Sequence, residues 1–242
     1  MSGAVRLDRL LANLGYGSRR EMQQLVRAGV VTLDGAPVAK ADVRLPAVPE
    51  LSARMRVEGA PLDPMPGMAL MLHKPLGVTC SHKEAGALVY ELLPGRWRQR
   101  DPAISTVGRL DKDTSGLLLM TDDGDLLHRI ISPRRHVAKR YLATLARPLA
   151  GEEAARFAAG DLLLEGDDKP LAPAVLEPLS PTSARLTITE GRYHQVRRMF
   201  AAVGNHVEAL HRDRIGGLDL PQDLVPGAWR LMGPADVAAV FT

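Results

Sequence analysis

The sequence predicts an α+β protein in two parts, and three observations carry that reading. The first sixty residues pattern as two short helices followed by a hairpin. After residue 67, short apolar runs and period-two alternation mark strands, with short helical stretches between them. Between the two parts lies Pro61-Leu62-Asp63-Pro64-Met65-Pro66-Gly67. Three prolines and a glycine in seven residues predict a semi-rigid linker over 61–67, separating a domain at 1–60 from one at 68–242.

A chain of 242 residues is long enough for one or two domains with a real core. No apolar run approaches the roughly 18 to 20 residues of a membrane helix, and the start lacks the apolar stretch of a signal peptide. Cys80 is the only cysteine, which excludes an intramolecular disulfide and a Cys-rich zinc site. A cytoplasmic protein with no membrane contact is the expectation. The net charge is +3, and its distribution says more than its size. The basic excess falls within residues 1–60, and the stretch 126–150 carries Arg129, Arg134, Arg135, Lys139, Arg140 and Arg147 without one acid. Clustered bases of this kind suit a phosphate backbone, a solvated face being the plainer alternative.

In chain order, Leu7, Leu10, Leu11 and Leu14 fall at helical spacing, and Gly15 ends that helix. Ser18-Arg19-Arg20-Glu21 has the form of a capping box. The helix it opens turns Met22, Leu25 and Val26 inward and leaves Arg19, Arg20 and Arg27 outside. Val30–Leu33, a turn at Asp34-Gly35 and a return through Val38 make a hairpin. Beyond the linker, Met68–Leu72 is an apolar strand leading to His73-Lys74-Pro75-Leu76-Gly77. Cys80 reads as a small buried hydrophobe, and a helix is expected near Leu88–Leu93.

The stretch Gly108–Gly124 (GRLDKDTSGLLLMTDDG) encloses Leu117–Met120, too short for a stable helix and bounded like a buried strand. Such a strand fixes what precedes it, here Arg109 and Asp111 one residue apart. Leu126, Leu127, Ile130 and Ile131 then give a short amphipathic helix, and Lys139–Leu145 an alternating strand. Gly151–Gly160 reads as an Ala-rich surface helix, and Leu186 and Ile188 mark a further strand. Val196, Met199, Phe200 and Val203 share one helical stripe capped by Gly204, with Arg197 beside it. Val207, Ala209 and Leu210 make a last core strand.

These residues carry a resemblance. Gly108–Leu117 is similar to the motif G-R-L-D-x-D-T-S-G-L of the pseudouridine synthases, in which the Asp is the essential catalytic residue. Lys139-Arg140-Tyr141 matches the family's K-x-Y step, and Gly191–Arg197 its G-R-x-H-Q-(L/V)-(K/R) motif. His73 replaces the Asn of N-K-P-x-G, a departure that alters a local hydrogen bond. The N-terminal part resembles the S4 RNA-binding domain, through Arg6–Ala12, Ser18-Arg19 and Gly29–Gly35. The match runs over nearly the whole chain and looks most similar to an S4-first branch acting on one uridine of 16S ribosomal RNA.

The resemblance implies a small S4-like domain whose Arg6, Arg19, Arg20, Arg27 and Lys40 meet RNA phosphates. A catalytic domain with a central mixed, mostly antiparallel sheet flanked by helices would follow. It makes Asp111 the group acting at the ribose C1′ and Tyr141 the ring that stacks on the uracil, a tyrosine whose ordinary reading alone would be core packing. Arg197 would pair with the Asp111 carboxylate, Leu210 would close the uracil pocket, and Arg109 would fill the space the flipped base leaves or hold a flanking phosphate. His194 is read as a structural donor, and Lys74 and Pro75 as structural.

Isomerising uridine to pseudouridine changes no oxidation state, so no cofactor and no metal are expected. The expected partner is ribosomal RNA, 16S or a small-subunit assembly intermediate, met by a monomer. The same chemistry on 23S or transfer RNA, a non-catalytic S4-type assembly factor, and a hydrolytic glycosidase are the alternatives. The last usually needs a second facing carboxylate.

Overall fold

The structure, a computed structural model, describes residues 3–81 and 86–242. The chain divides into two compact units. One holds Met1–Ala69, Leu93–Ser105 and Thr121–Gly124; the other holds Leu70–Leu92, Thr106–Met120 and Asp125–Thr242.

The first unit runs β1 (Ala4–Arg6), α1 (Leu7–Asn13), α2 (Arg19–Arg27), β2 (Val31–Leu33), β3 (Ala36–Pro37), β4 (Arg44–Pro46), α3 (Pro49–Arg54), β5 (Met55–Val57) and β6 (Ala60–Pro61). β1 pairs with β4, and the other four strands form a sheet ordered β3-β2-β5-β6. The leucines of α1 and the Met22 and Val26 of α2 are buried in one core. The hairpin turn has positive φ at Asp34 and Gly35, the conformation a tight two-residue turn between twisted strands requires.

The capping box at α2 is formed: Ser18 Oγ accepts from Glu21 N at 3.3 Å, and Glu21 Oε2 accepts from Ser18 N at 2.7 Å. Ser18→Ala is expected to cost about 1 kcal/mol, measurable by thermal unfolding and partly restored by Ser18→Asp.

The stretch 61–67 is not a free linker. Pro61 belongs to β6 and pairs with Arg56, and Leu62 and Met65 lie in the same core as α1. Asp63 N is bonded to Tyr16 Oη, and the Asp63 carboxylate takes Arg96. Arg100, almost fully buried, pairs with Asp122 at 2.8 Å and donates to Pro64 O. The prolines fix φ and remove donors, and here that rigidity serves packing.

Among the described residues the second unit is built on a nine-stranded sheet. Its strands are β7 (Ala69–Lys74), β8 (Ser105–Thr106), β9 (Thr114–Thr121), β10 (Lys139–Leu145), β11 (Val175–Ser180), β12 (Ser183–Ile188), β13 (Val207–Ile215), β14 (Leu218–Asp219) and β15 (Trp229–Leu231). The order is β11-β12-β10-β13-β9-β7-β15, with β14 on β13 and β8 on β9. β13 and β9 run parallel, while the β10–β12, β10–β13, β11–β12 and β15–β7 ladders are antiparallel. The expected mixed, mostly antiparallel sheet is present. Leu117–Met120 are buried on both faces, as a central strand demands.

Helices α4 (Gly124–Ile131), α5 (Glu153–Ala158), α6 (Gln195–Ala202) and α7 (Pro234–Ala239) complete the fold. The stripe read on α6 is real, with Val196, Met199 and Phe200 buried. Helix α5 is not merely a surface helix. Phe157 is buried edge-on against Phe200 at 5.4 Å, and the buried Glu153 carboxylate accepts from Ala150 N and Gly151 N. The helix expected near Leu88–Leu93 is one 3-10 turn, Val89–Leu92. Among the described residues no helix is long and apolar enough to cross a membrane.

Candidate active site

The loop before β9 is held from several sides. Val107 and Leu110 are buried, and Val107 N donates to Leu119 O at 2.8 Å. Burying Leu110 turns its neighbours Arg109 and Asp111 outward. Gly77 N donates to Lys112 O, and Thr114 N to Asp111 O. Beneath the loop lies Lys74, fully buried, its Nζ donating to the carbonyls of Pro75 (3.0 Å), Thr114 (2.8 Å) and Lys112 (3.5 Å). Burial pulls the Lys74 ammonium below its usual pKa, while nearby Cys80, Asp111 and Asp113 oppose the shift. Cys80 is buried as expected, and burial pushes its thiol up.

A cavity of about 240 Å³ opens beside this loop. Asp111, Tyr141, Arg197, Arg109 and Leu210 all line it, so the sequence-expected catalytic and substrate residues converge. Asp111 is one-third exposed. Tyr141, nearly buried on β10, lies opposite Leu186 of β12 and Arg212 of β13. Leu210 is buried in the wall.

One expected pairing is absent. Arg197 does not hold the Asp111 carboxylate: Nη2 meets Asp113 Oδ2 at 2.9 Å and Asp113 O at 3.1 Å, and Nη1 donates to Val207 O at 2.8 Å. A side chain rooted at the third position of α6 is claimed by the nearer carbonyls and by a second Asp two residues along the same loop. The Asp111 carboxylate instead stands 3.4 Å from His194 Nε2. His194 occupies a left-handed backbone conformation, and its ring is stacked on exposed Tyr193 at 3.8 Å. The histidine read as a structural donor therefore faces the candidate catalytic group.

The sequence assigns no site role of their own to two further residues, Arg212 and Lys139 of the K-x-Y step. Arg212, buried, donates from Nε to Leu117 O at 2.8 Å and from Nη1 to Tyr141 Oη at 3.4 Å. Lys139 lines the cavity two residues before Tyr141 on the same strand face. Burial, with Arg212 adding to it, pushes the Lys139 pKa down to about 8. The K-x-Y step and the period-two alternation of β10 were the available signals for Lys139. The His73 substitution is accommodated outside the cavity lining, with Nδ1 2.7 Å from Leu224 O and the ring edge-on to His211.

The basic residues expected on RNA behave differently from one another. Arg6 and Arg19 both bond Asp8, which is fully buried and also accepts from Gln23. The Arg6 guanidinium, with Gln23 and Arg19, holds that carboxyl well below the usual range against the effect of burial. Arg27 leans on Gln23 O. Arg20 and Lys40 are exposed.

A model described as RNA pseudouridylate synthase matches residues 69–202, and one described as S4 domain matches residues 5–47. The chain is 45% identical to the ribosomal small subunit pseudouridine synthase A of Escherichia coli K12, covering 98% of this chain and 100% of that protein. It is 38% identical to the protein of that name from Vibrio cholerae, with 98% and 100% covered. A solved structure titled as a pseudouridylate synthase superposes with TM-score 0.67 and 36% identity, over 98% of this chain and 99% of the other.

Proposed function

The chain belongs to the RNA pseudouridylate synthase family, and we propose that it converts one uridine of 16S ribosomal RNA into pseudouridine with Asp111 as the catalytic group. The observation carrying this reading is a one-third-exposed carboxylate on a rigid loop, at the wall of a cavity that Tyr141 and Leu210 also line. Its relatives' names support the small ribosomal subunit as the source of substrate.

The reaction breaks N1–C1′, turns the base, and joins C5 to C1′; a proton leaves C5 and one arrives at N1. Asp111 acts on the sugar, either by attacking C1′ or by taking the C2′ proton. Flipping the uridine costs a few kcal/mol, and stacking on Tyr141 returns about 1 to 3 kcal/mol. Leu210 closes the apolar side, and exposed Arg109 takes the flanking phosphate or the vacated space. Arg197 works at one remove, clamping residue 113 and so the loop that presents Asp111. The enzyme acts as a monomer in the cytoplasm, on 16S RNA or an assembling small subunit.

Carbodiimide mapping with primer extension on 16S RNA, protein-free and in assembly intermediates, tests this. One new site made by wild type and missing with Asp111→Asn is expected. A site found only in 23S or transfer RNA overturns the substrate, and binding without any pseudouridine overturns the enzyme.

In the S4 unit, Arg20 and Lys40 are the proposed phosphate contacts with neither an ion pair nor a side-chain hydrogen bond among the described residues, whereas Arg6 and Arg19 are held by Asp8 and Arg27 by Gln23 O. Replacing both by Ala is expected to lower the magnitude of the slope of log K against log salt by roughly 1.5 to 2. The turnover of bound RNA stays the same. A slope unchanged in titrations at several salt concentrations would place the phosphates elsewhere.

A further inference from the structure

We propose that Lys139 and Arg212 form a cationic wall that holds the detached uracil as its anion, between cleavage of N1–C1′ and formation of C5–C1′. This rests on the reading of the cavity as the uridine site.

Most charges along the cavity are already matched. Among the described residues lining it, Arg197 is matched by Asp113, Arg192 by Asp167 and Glu190, and His194 faces Asp111. Arg109 is exposed to water. Half-buried Lys139 and buried Arg212 are the remaining lining cations, with no carboxylate among their hydrogen-bond or ion-pair partners in the described residues. Arg212 spends Nε on Leu117 O and Nη1 on Tyr141 Oη, while its Nη2 is buried without a hydrogen-bond partner. A buried donor without a partner on a charged group is costly, and Arg212 is itself one of the residues lining the cavity.

Strand geometry brings the pair together. Lys139 and Tyr141 share one face of β10. The register of β10 with β13 shifts between Arg140 and Tyr141, passing from Arg214 to Arg212 and leaving Asp213 as the extra residue. That bulge sets Arg212 opposite Tyr141 and sends Asp213 to bond Arg140, so the acid nearest in sequence is taken away from the wall. Bulges re-aim side chains in this way. The two cations repel each other, and the lowered pKa of Lys139 registers both burial and that repulsion.

Chemistry supplies the missing counter-charge. When N1–C1′ breaks, its electron pair stays with the base, and the charge spreads over N1, O2 and O4. That anion persists until C5 returns a pair to C1′. Asp111 stands at the sugar side, where positive charge develops. Lys139 and Arg212, beside the ring of Tyr141, stand where the base gains negative charge. Fixed charges aimed at transient ones need no reorganisation during reaction, and each such group contributes about 10² to 10³-fold in rate.

The test compares Lys139→Met and Lys139→Arg with wild type on two RNAs, one with uridine at the target and one with 5-fluorouridine, whose base leaves more readily as an anion. With uridine, Lys139→Met is expected to lose about 100-fold in kcat with little change in KM, and Lys139→Arg to keep most of the rate. With 5-fluorouridine, followed by glycosidic cleavage, the deficit should shrink at least tenfold. Independently of turnover, wild type should bind the 5-nitrouracil anion far more tightly than neutral uracil, and Lys139→Met should lose that preference. An equal deficit on both RNAs, or an unchanged preference for the anion, overturns the proposal. If wild type forms no pseudouridine, the reading of the site fails first; if it does and Lys139→Met matches it, this inference alone fails.

Discussion

Asp111→Asn is expected to abolish pseudouridine formation, by roughly 10⁴-fold or more, while leaving the fold and RNA affinity as they were. The asparagine keeps the shape of the side chain and removes the charge proposed to act on the sugar. Nothing that holds the loop depends on the carboxylate. Leu110 is buried; Lys74 bonds the carbonyls of residues 75, 112 and 114; Gly77 N takes Lys112 O; and Arg197 clamps residue 113. The substitution weakens only the approach of His194 Nε2 at 3.4 Å, which is partly in solvent and worth little. Melting temperature within about 1 °C of wild type, unchanged filter binding and no detectable product are the expected set. Residual turnover above about one part in a hundred would remove Asp111 from its role.

Gly116→Ala should be one of the most damaging single methyls in the second unit. Gly116 has φ +115 and lies opposite Arg212 in the parallel β9–β13 ladder. A Cβ there would collide with the backbone of Arg212, its carbonyl oxygen first and its nitrogen at 2.6 Å. Backbone in a sheet centre cannot swing aside like a side chain, and positive φ adds strain. A loss of about 4 kcal/mol or more follows, some 10 °C in melting temperature. Activity should fall further than stability, because the strand forced away carries both Leu210 and Arg212. Gly108→Ala is the control. Its Cβ would meet nothing within 4 Å at φ +73, so only about 1 kcal/mol is expected. Equal melting of the two variants would refute the close approach as the cause.

What the sequence made legible was whatever short-range pattern encodes. The capping box at Ser18, the turn at Asp34-Gly35, the buried run Leu117–Met120 and the stripe on α6 depend on neighbours within a few residues, and all are present. Site residues 109, 111, 141, 197 and 210 do share one cavity. Who bonds whom was not legible. Arg197 chooses between two aspartates two residues apart, and the choice depends on the approach of α6 to a loop some eighty residues earlier. The partners of Arg212 were likewise hidden, being set by a bulge in β13 and by the carbonyl of Leu117. The prolines of 61–67 mark a segment of fixed φ, but what that segment packs against lay beyond local pattern.

Lys74 also bears on the conditions under which the loop holds its shape. A positive charge ringed by three main-chain oxygens is the arrangement by which many loops grip a potassium ion. Here the ion is tethered to the chain by four methylenes and cannot be diluted away or exchanged for another. The loop bearing Asp111 is therefore expected to hold its shape equally in dilute buffer and at high magnesium. On that expectation ionic conditions govern how the RNA folds and docks and leave the loop of Asp111 as it is.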